Sequence, residues 1–268
     1  MTEPVTKNHL IKKVTRIAAV VVLLSGCATQ PQTVDEPHDP LEGLNRAVFG
    51  FNELIDTWFL RPAATFYRGM LPPPVQEGIH NMLANLSAPV IFVNDLLQGE
   101  PDRAGTTLTR FALNSTVGVL GFGDPASEMG YKKHSEDFGQ TLATWGLDGG
   151  PYIVLPVFGP SNPRDIVGRV VDYYTDPLNN WARNTDNEGF PIARGVLTAV
   201  DARAYYYDAI EDMKKNSLDP YAAMRSFYLQ RRAAEIRNDD QPKVNPAPDL
   251  SFDFDAPSPD SEEITEAR

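Results

Sequence analysis

Few residues in this chain are placed to do chemistry. It has four histidines, and none sits in a His-Glu-x-x-His pair that would put two imidazoles on one helix face for zinc. There is no Gly-x-Ser-x-Gly elbow to raise a serine nucleophile. His134-Ser135-Glu136-Asp137 gathers a base, a hydroxyl and two carboxylates, but immediate neighbours do not face one another on a helix. Ser135 reads instead as a helix N-cap with acids in the first turn. Gly118-Val119-Leu120-Gly121-Phe122-Gly123 has the glycines of a phosphate loop without its lysine or its preceding strand. These patterns predict neither an enzyme nor a cofactor or metal. One nucleophile remains: Cys27, the single cysteine of the chain.

The setting of Cys27 says what its thiol is for. Lys7, Lys12, Lys13 and Arg16 form a basic segment, and Ile17 to Leu24 an apolar one of about eight residues, too short to span a bilayer. Leu24-Ser25-Gly26-Cys27 then resembles the lipobox of bacterial lipoproteins, where cleavage precedes the cysteine and its thiol takes a diacylglycerol. Residues 1–26 are therefore expected to be a signal peptide and Cys27 the lipidation site. The competing reading is an unreactive buried cysteine in an ordinary secreted protein. One acyl chain, at about 0.8 kcal/mol per buried methylene, binds reversibly. The three chains of the lipoproteins this N-terminus resembles make release very slow. Acylation consumes the thiol, which excludes disulfides even in an oxidising compartment. Ala28, where an Asp would favour inner-membrane retention in such lipoproteins, points to the outer membrane.

The formal net charge is −12, and loss of the basic signal makes the mature chain more acidic still. That balance argues against nucleic-acid binding and against docking by charge on anionic headgroups. Residues 27–38, with Pro31 and Pro37, read as a lipidated tether. Residues 239–268 carry five prolines and nine carboxylates against Lys243 and Arg268, and read as a disordered acidic tail. Phe252 and Phe254 within it leave open a short docking motif. Residues 39–238 form one domain.

Its periodicity is helical. Apolar stripes predict helices over Arg46–Leu60, stopped by Arg61-Pro62, and over Pro74–Leu86, with a restart at Ser87-Ala88-Pro89. Others follow over Pro101–Val117, after Ser135, after Asn162-Pro163, over Phe190–Met213 and from Asp219 to about Arg237. The fold class is mainly α. Gly146–Pro160 breaks the pattern: three prolines and β-favouring Tyr-Ile-Val-Leu predict an extended loop or hairpin, either functional or a packed connector. Val90–Val93 is apolar on every face, which suits a core helix or one facing lipid, the core being preferred. Phe49, Phe51, Trp58 and Phe59 form an aromatic band near the lipidated end and are candidate membrane contacts.

Several stretches together resemble the MlaA (VacJ) family of outer-membrane lipoproteins. They are Asp39-Pro40-Leu41-Glu42-Gly43-Leu44-Asn45-Arg46 with Phe51-Asn52, Leu97-Gln98-Gly99-Glu100-Pro101 and Arg110 to Gly118. Phe138-Gly139-Gln140-Thr141-Leu142, Gly150 to Pro156, Arg164-Asp165, Asp219-Pro220-Tyr221 and Tyr228 to Arg232 complete the set. The resemblance implies a ring-like helical domain lying in the inner leaflet of the outer membrane. It also implies a passive channel that takes mislocalised phospholipid from the outer leaflet to a periplasmic carrier, beside a trimeric porin. On that basis the Gly146–Pro160 stretch, with Tyr152, is a candidate to line or gate the channel. Arg164 is placed near the phosphate path with Asp165 as its partner, or the two are a structural pair at a helix start. A non-transporting periplasmic scaffold is the alternative function, and a lipid hydrolase a third that lacks its nucleophile–base pair.

Overall fold

The computed structural model describes residues 39–187 and 189–238. The signal, Cys27, the tether and the acidic tail lie outside the described residues. Within them the chain is mainly helical, with one two-stranded antiparallel sheet.

Helix α1, Glu42–Ile55, does not stop at Pro62 as its sequence predicts. It widens into a π-helical turn over Asp56–Leu60 and runs on as α2, Arg61–Met70. A proline lacks the N–H of its turn and its ring crowds the carbonyl four residues back. The π turn, in which the Arg61 N–H reaches Asp56 O, shifts those carbonyls aside. Helix α3, Pro73–Leu97, likewise passes straight through Pro89 instead of restarting there. Side chains serve carbonyls of the preceding turn: Ser87 Oγ donates to Leu83 O at 3.3 Å and Arg194 Nη2 to Leu86 O at 3.2 Å.

Helices α4, Pro101–Thr116, and α5, Pro125–Glu128, are joined by the Gly-rich turn, in which Val119 and Leu120 hold left-handed backbone at φ 53° and 59°. Helix α6, Phe138–Thr144, starts at Asp137, whose carboxylate accepts the Gln140 N–H at 2.9 Å. Asp137, and not Ser135, is thus the N-cap. Strands β1, Ile153–Leu155, and β2, Gly159–Ser161, pair Ile153 with Ser161 and make the expected hairpin.

Helix α7, Pro163–Thr175, is capped by Asn162, and α8, Pro177–Asn184, follows at once. The long helix expected over Phe190–Met213 is two, α9, Gly189–Tyr205, and α10, Tyr207–Asn216, bent at Tyr206. The bend puts buried Arg203 of α9 and Lys214 of α10 on the same Asp56 carboxylate, at 2.7 and 2.8 Å. Helix α11, Pro220–Ile236, opens with Asp219 accepting two backbone N–H groups. Helix α3 packs along α4, α6 crosses α7, and α9 lies on α2.

Burial is inverted. Among the described residues the largest wholly buried side chains are Gln140, Asn45, Thr141, Asp95 and Ser161. Leu83 and Val154 are the only buried aliphatic side chains larger than alanine there. Meanwhile Trp58, Phe59, Phe66, Leu120, Phe158 and Ile192 are each about two-thirds exposed or more. A water-soluble domain sorts these types the other way. Val90–Val93 follows the same rule against expectation: Val93 is exposed, its three neighbours are half-buried, and Asn94 and Asp95 are the buried residues that follow.

Candidate functional site

The hairpin hangs from α1 by two asparagines. Asn45 donates through Nδ2 to Tyr152 O at 3.0 Å and accepts the Val154 N–H on Oδ1 at 2.9 Å. Asn52 repeats the pattern, donating to Leu155 O at 2.9 Å and accepting the Val157 N–H at 2.7 Å. Seven residues separate them, two helical turns, so both amides face the same way. Together they fill the free edge of β1, which a two-stranded sheet leaves unpaired. Asp39 fixes Asn45 by accepting from its Nδ2 at 3.1 Å, and it also accepts from the Tyr221 hydroxyl. Arg46 grips Asp219 with both terminal nitrogens, at 3.2 and 2.6 Å.

Tyr152 is buried among Val154, Tyr221, Val48, Phe49 and Tyr228. Its hydroxyl has no hydrogen-bond partner, and burial, with the Asp39 charge adding, pushes its pKa up to about 12. Phe49, among the candidate membrane contacts, is half-buried and lies edge-on to the Tyr221 ring at 5.7 Å. Phe51, Trp58 and Phe59 are exposed, at 48%, 73% and 71%.

At the base of the hairpin, Arg164 and Asp165 are both buried. Arg164 donates to Asp165 Oδ1 through Nε and Nη2, both at 3.0 Å, and through Nη1 to Leu147 O at 3.3 Å. Asp165 Oδ2 also accepts from Asn162 Nδ2 at 3.0 Å and from the Tyr228 hydroxyl at 2.7 Å, and lies 2.8 Å from Arg232 Nε. Arg232 forks onto Asp137, both contacts at 2.7 Å. Burial works to raise the Asp137 pKa, and that fork outweighs it, holding the carboxyl below its usual range. So Asp165 sits at the start of α7, as one of the two expectations had it, and the Arg164 guanidinium is spent on its neighbour and a carbonyl.

This cluster needs two glycines. A Cβ on Gly139 would stand 2.6 Å from Arg232 Nη2, and one on Gly168 would stand 2.3 Å from Gly139 N. Their absence lets α6 and α7 touch backbone to backbone. Farther in, Thr141 Oγ1 donates to Asn94 Oδ1 at 2.8 Å, and Asn94 Nδ2 to Asp172 Oδ1 at 3.1 Å. Gln98 and Arg103 both donate to Glu136, at 2.8 and 2.6 Å. His134 Nε2 and Thr107 Oγ1 converge on buried Asp95, at 3.0 and 2.6 Å. These amides and hydroxyls were missed as site residues. Gln98 and Thr141 stood in the quoted motifs without a role, and the trace of Asn94 and Thr107 is a polar residue inside a helical stretch.

Two clefts open on this polar interior, both lined by Ser135. One, about 370 Å³, lies between the hairpin and α11, with Arg169, Arg232, Phe158 and Phe227 on its walls. The other, about 190 Å³, lies between α3 and α4. Among the described residues no group of three or more His, Cys, Asp or Glu is placed to hold a metal, and no helix is long and apolar enough to cross a membrane.

The family model of the MlaA lipoprotein matches residues 37–235, which take in nearly all of the described residues and every cluster above. The chain belongs to the MlaA lipoprotein family. It is 36% identical over 223 residues to the intermembrane phospholipid transport system lipoprotein MlaA of Haemophilus influenzae, covering 81% of this chain and 87% of that one. It is 31% identical over 255 residues to the protein of the same name in Escherichia coli K12, covering 91% and 98%. A solved structure described as "Structural basis for maintenance of bacterial outer membrane lipid asymmetry" superposes with a TM-score of 0.66 at 32% identity. The match covers 75% of this chain and all of that one. In MlaA terms, the Asp39–Arg46 and Phe51-Asn52 motifs are what carry the hairpin, and Phe138-Gly139-Gln140-Thr141-Leu142 is the helix that makes the backbone crossing, with Gln140 and Thr141 buried.

Proposed function

We propose that this MlaA-family chain is an outer-membrane lipoprotein, anchored through acylated Cys27 and lying as a ring-like body in the periplasmic-side leaflet. There it acts as a passive phospholipid channel. It takes mislocalised phospholipid from the outer leaflet and hands it to a periplasmic carrier, so maintaining lipid asymmetry. A trimeric porin is its neighbour in the membrane.

The inverted burial carries this reading. Hydrocarbon rewards an apolar exterior and favours enclosed polar groups that find partners, as Asn45, Asn94 and Asp95 do inside while Trp58 and Phe59 face out. A headgroup leaving water for hydrocarbon loses several kcal/mol of hydration. A polar wall inside an apolar shell lowers that barrier without chemistry, and transport runs down a gradient kept elsewhere. The names of the relatives, components of an intermembrane phospholipid transport system, support the same substrate.

In this reading the hairpin is a wall or gate of the passage. Arg164 and Asp165 act on it as positioning residues and Tyr152 as its buried anchor. Purified protein in liposomes carrying labelled phospholipid tests the function. Lipid moves between leaflets with the protein present and no energy source, whereas a scaffold, the alternative, moves none. Release of lysophospholipid would mean a hydrolase instead. Arg164→Ala at normal abundance with impaired movement supports the positioning role. Unimpaired movement at full abundance removes it.

A further inference from the structure

The cleft between α3 and α4 carries an ammonium, Lys133, that Asp124 and Asp201 attract from a distance but no carboxylate among the described residues meets at contact distance. Its walls include Asn81, Asn85, Asn114, Arg110, Asp124 and Lys133. Asp124 is the carboxylate that should answer the two cations, and it is full. Arg110 Nη2 reaches its Oδ2 at 2.8 Å, Asn114 Nδ2 its Oδ1 at 2.9 Å, and Ser127 adds its hydroxyl at 2.7 Å and its N–H at 3.2 Å. Four donors meet the roughly four lone pairs of a carboxylate. Asp95, under the cleft, is likewise occupied by Thr107 and His134. Lys133, exposed at the wall, makes no hydrogen bond or ion pair with the described residues, and the Asn81 amide beside it makes none either.

We propose that this cleft is an anion site for the phosphodiester of a lipid headgroup, with Lys133 touching the phosphate and Asn81 donating beside it. The proposal rests on the reading of the chain as a phospholipid conduit and names the group in its wall that meets the substrate. About 190 Å³ is smaller than the pockets that enclose whole small molecules, so the cleft takes a headgroup and leaves acyl chains outside, against Ile91 and Phe111. A diester carries a single negative charge, which one uncommitted ammonium balances. A free phosphate or monoester carries more, about −1.5 to −2, and would want a second free cation. Arg110 is already spent, so the site prefers the diester.

The test titrates the full chain, purified in a maltoside detergent, with glycerophosphoethanolamine and separately with inorganic phosphate. Saturable diester binding, tighter than that of phosphate, is expected. Lys133→Gln should weaken it about tenfold, Lys133→Arg should restore most of it, and Lys132→Gln should leave it unchanged. Undiminished binding in Lys133→Gln overturns the site, as does an equal loss in Lys132→Gln, which would mean diffuse surface charge. Phosphate binding as tight as the diester overturns the headgroup assignment. If Lys133→Gln melts early, the salt dependence of the unaltered protein decides: binding that ignores salt rules out the ion contact. Lipid movement by the same preparation in liposomes separates the two ideas. Wild-type movement with an unaffected Lys133→Gln titration sinks the site alone, and diester binding without movement sinks the conduit alone.

Discussion

At Asn45 a single amide closes two backbone hydrogen bonds of β1 and binds Asp39, all without exposure to solvent. Asn45→Ala strands the Tyr152 carbonyl and the Val154 N–H, each costing about 1–3 kcal/mol when buried, so a loss of about 2–4 kcal/mol is expected in denaturant unfolding. Arg46→Ala next door breaks an exposed pair and should cost no more than about 1 kcal/mol. Arg232→Ala removes the fork on Asp137 and one of the two guanidinium partners of Asp165, which keeps Arg164, and should cost about 2–3 kcal/mol.

Asp124 gives a pH dependence. Burial works to raise its pKa, and bonds from Ser127, Arg110 and Asn114 more than reverse this, bringing it down to about 2. The unfolded carboxyl titrates near 3.9. A depressed folded pKa means stability that is complete above about pH 4 and lost as pH falls towards 2, here about 1–2 kcal/mol after allowing for solvent screening. Asp124→Asn should flatten that part of the acid limb, and an unchanged limb would contradict the assignment. From sequence, Asp39, Asn45 and Asn52 stood out as motif members. Their job did not, because a bond from Asn45 to a strand over a hundred residues away has no local trace.

Helix existence was legible in the apolar stripes of α3, α4, α7 and α11, and the hairpin in its prolines and β-formers. The errors lay at Ser135, where Asp137 is the cap, and at Pro62, Pro89 and Tyr206, the last two with a tertiary cause. A π turn and the Arg194 contacts carry the chain past the prolines, while the shared Asp56 site bends α9 into α10. Neither of those tertiary contacts is a property of the window in which a helix is read. The α6–α7 crossing is the sharpest element-level test. Gly168→Ala puts a Cβ 2.3 Å from Gly139 N, backbone that cannot rotate away, so the helices must part. A loss of about 1–3 kcal/mol is expected. Gly105→Ala, in open space on α4, should be neutral or slightly stabilising. Equal melting temperatures for the two variants would deny the close crossing.

For the whole molecule, the balance of polar and apolar residues gave no warning of the inversion, since an apolar fraction of 42% suits a soluble domain as well. Only three-dimensional placement tells which residues face out. With so much apolar surface and, in this proposal, an acylated Cys27, Cys27→Ser should leave an uncleaved or soluble species absent from the outer-membrane fraction. Normal flotation with that membrane would transfer the anchoring to the aromatic surface. Truncation after Asn238 should leave the melting temperature nearly unchanged. Lost transport at unchanged stability would point to Phe252 and Phe254 as a docking motif. The most direct test of the conduit is the phospholipid content of the outer leaflet in cells lacking this chain. Accumulation there, with detergent sensitivity, reversed by the wild-type chain and not by a variant that is present but inert in liposomes, is the expected result. An unchanged outer leaflet would contradict it.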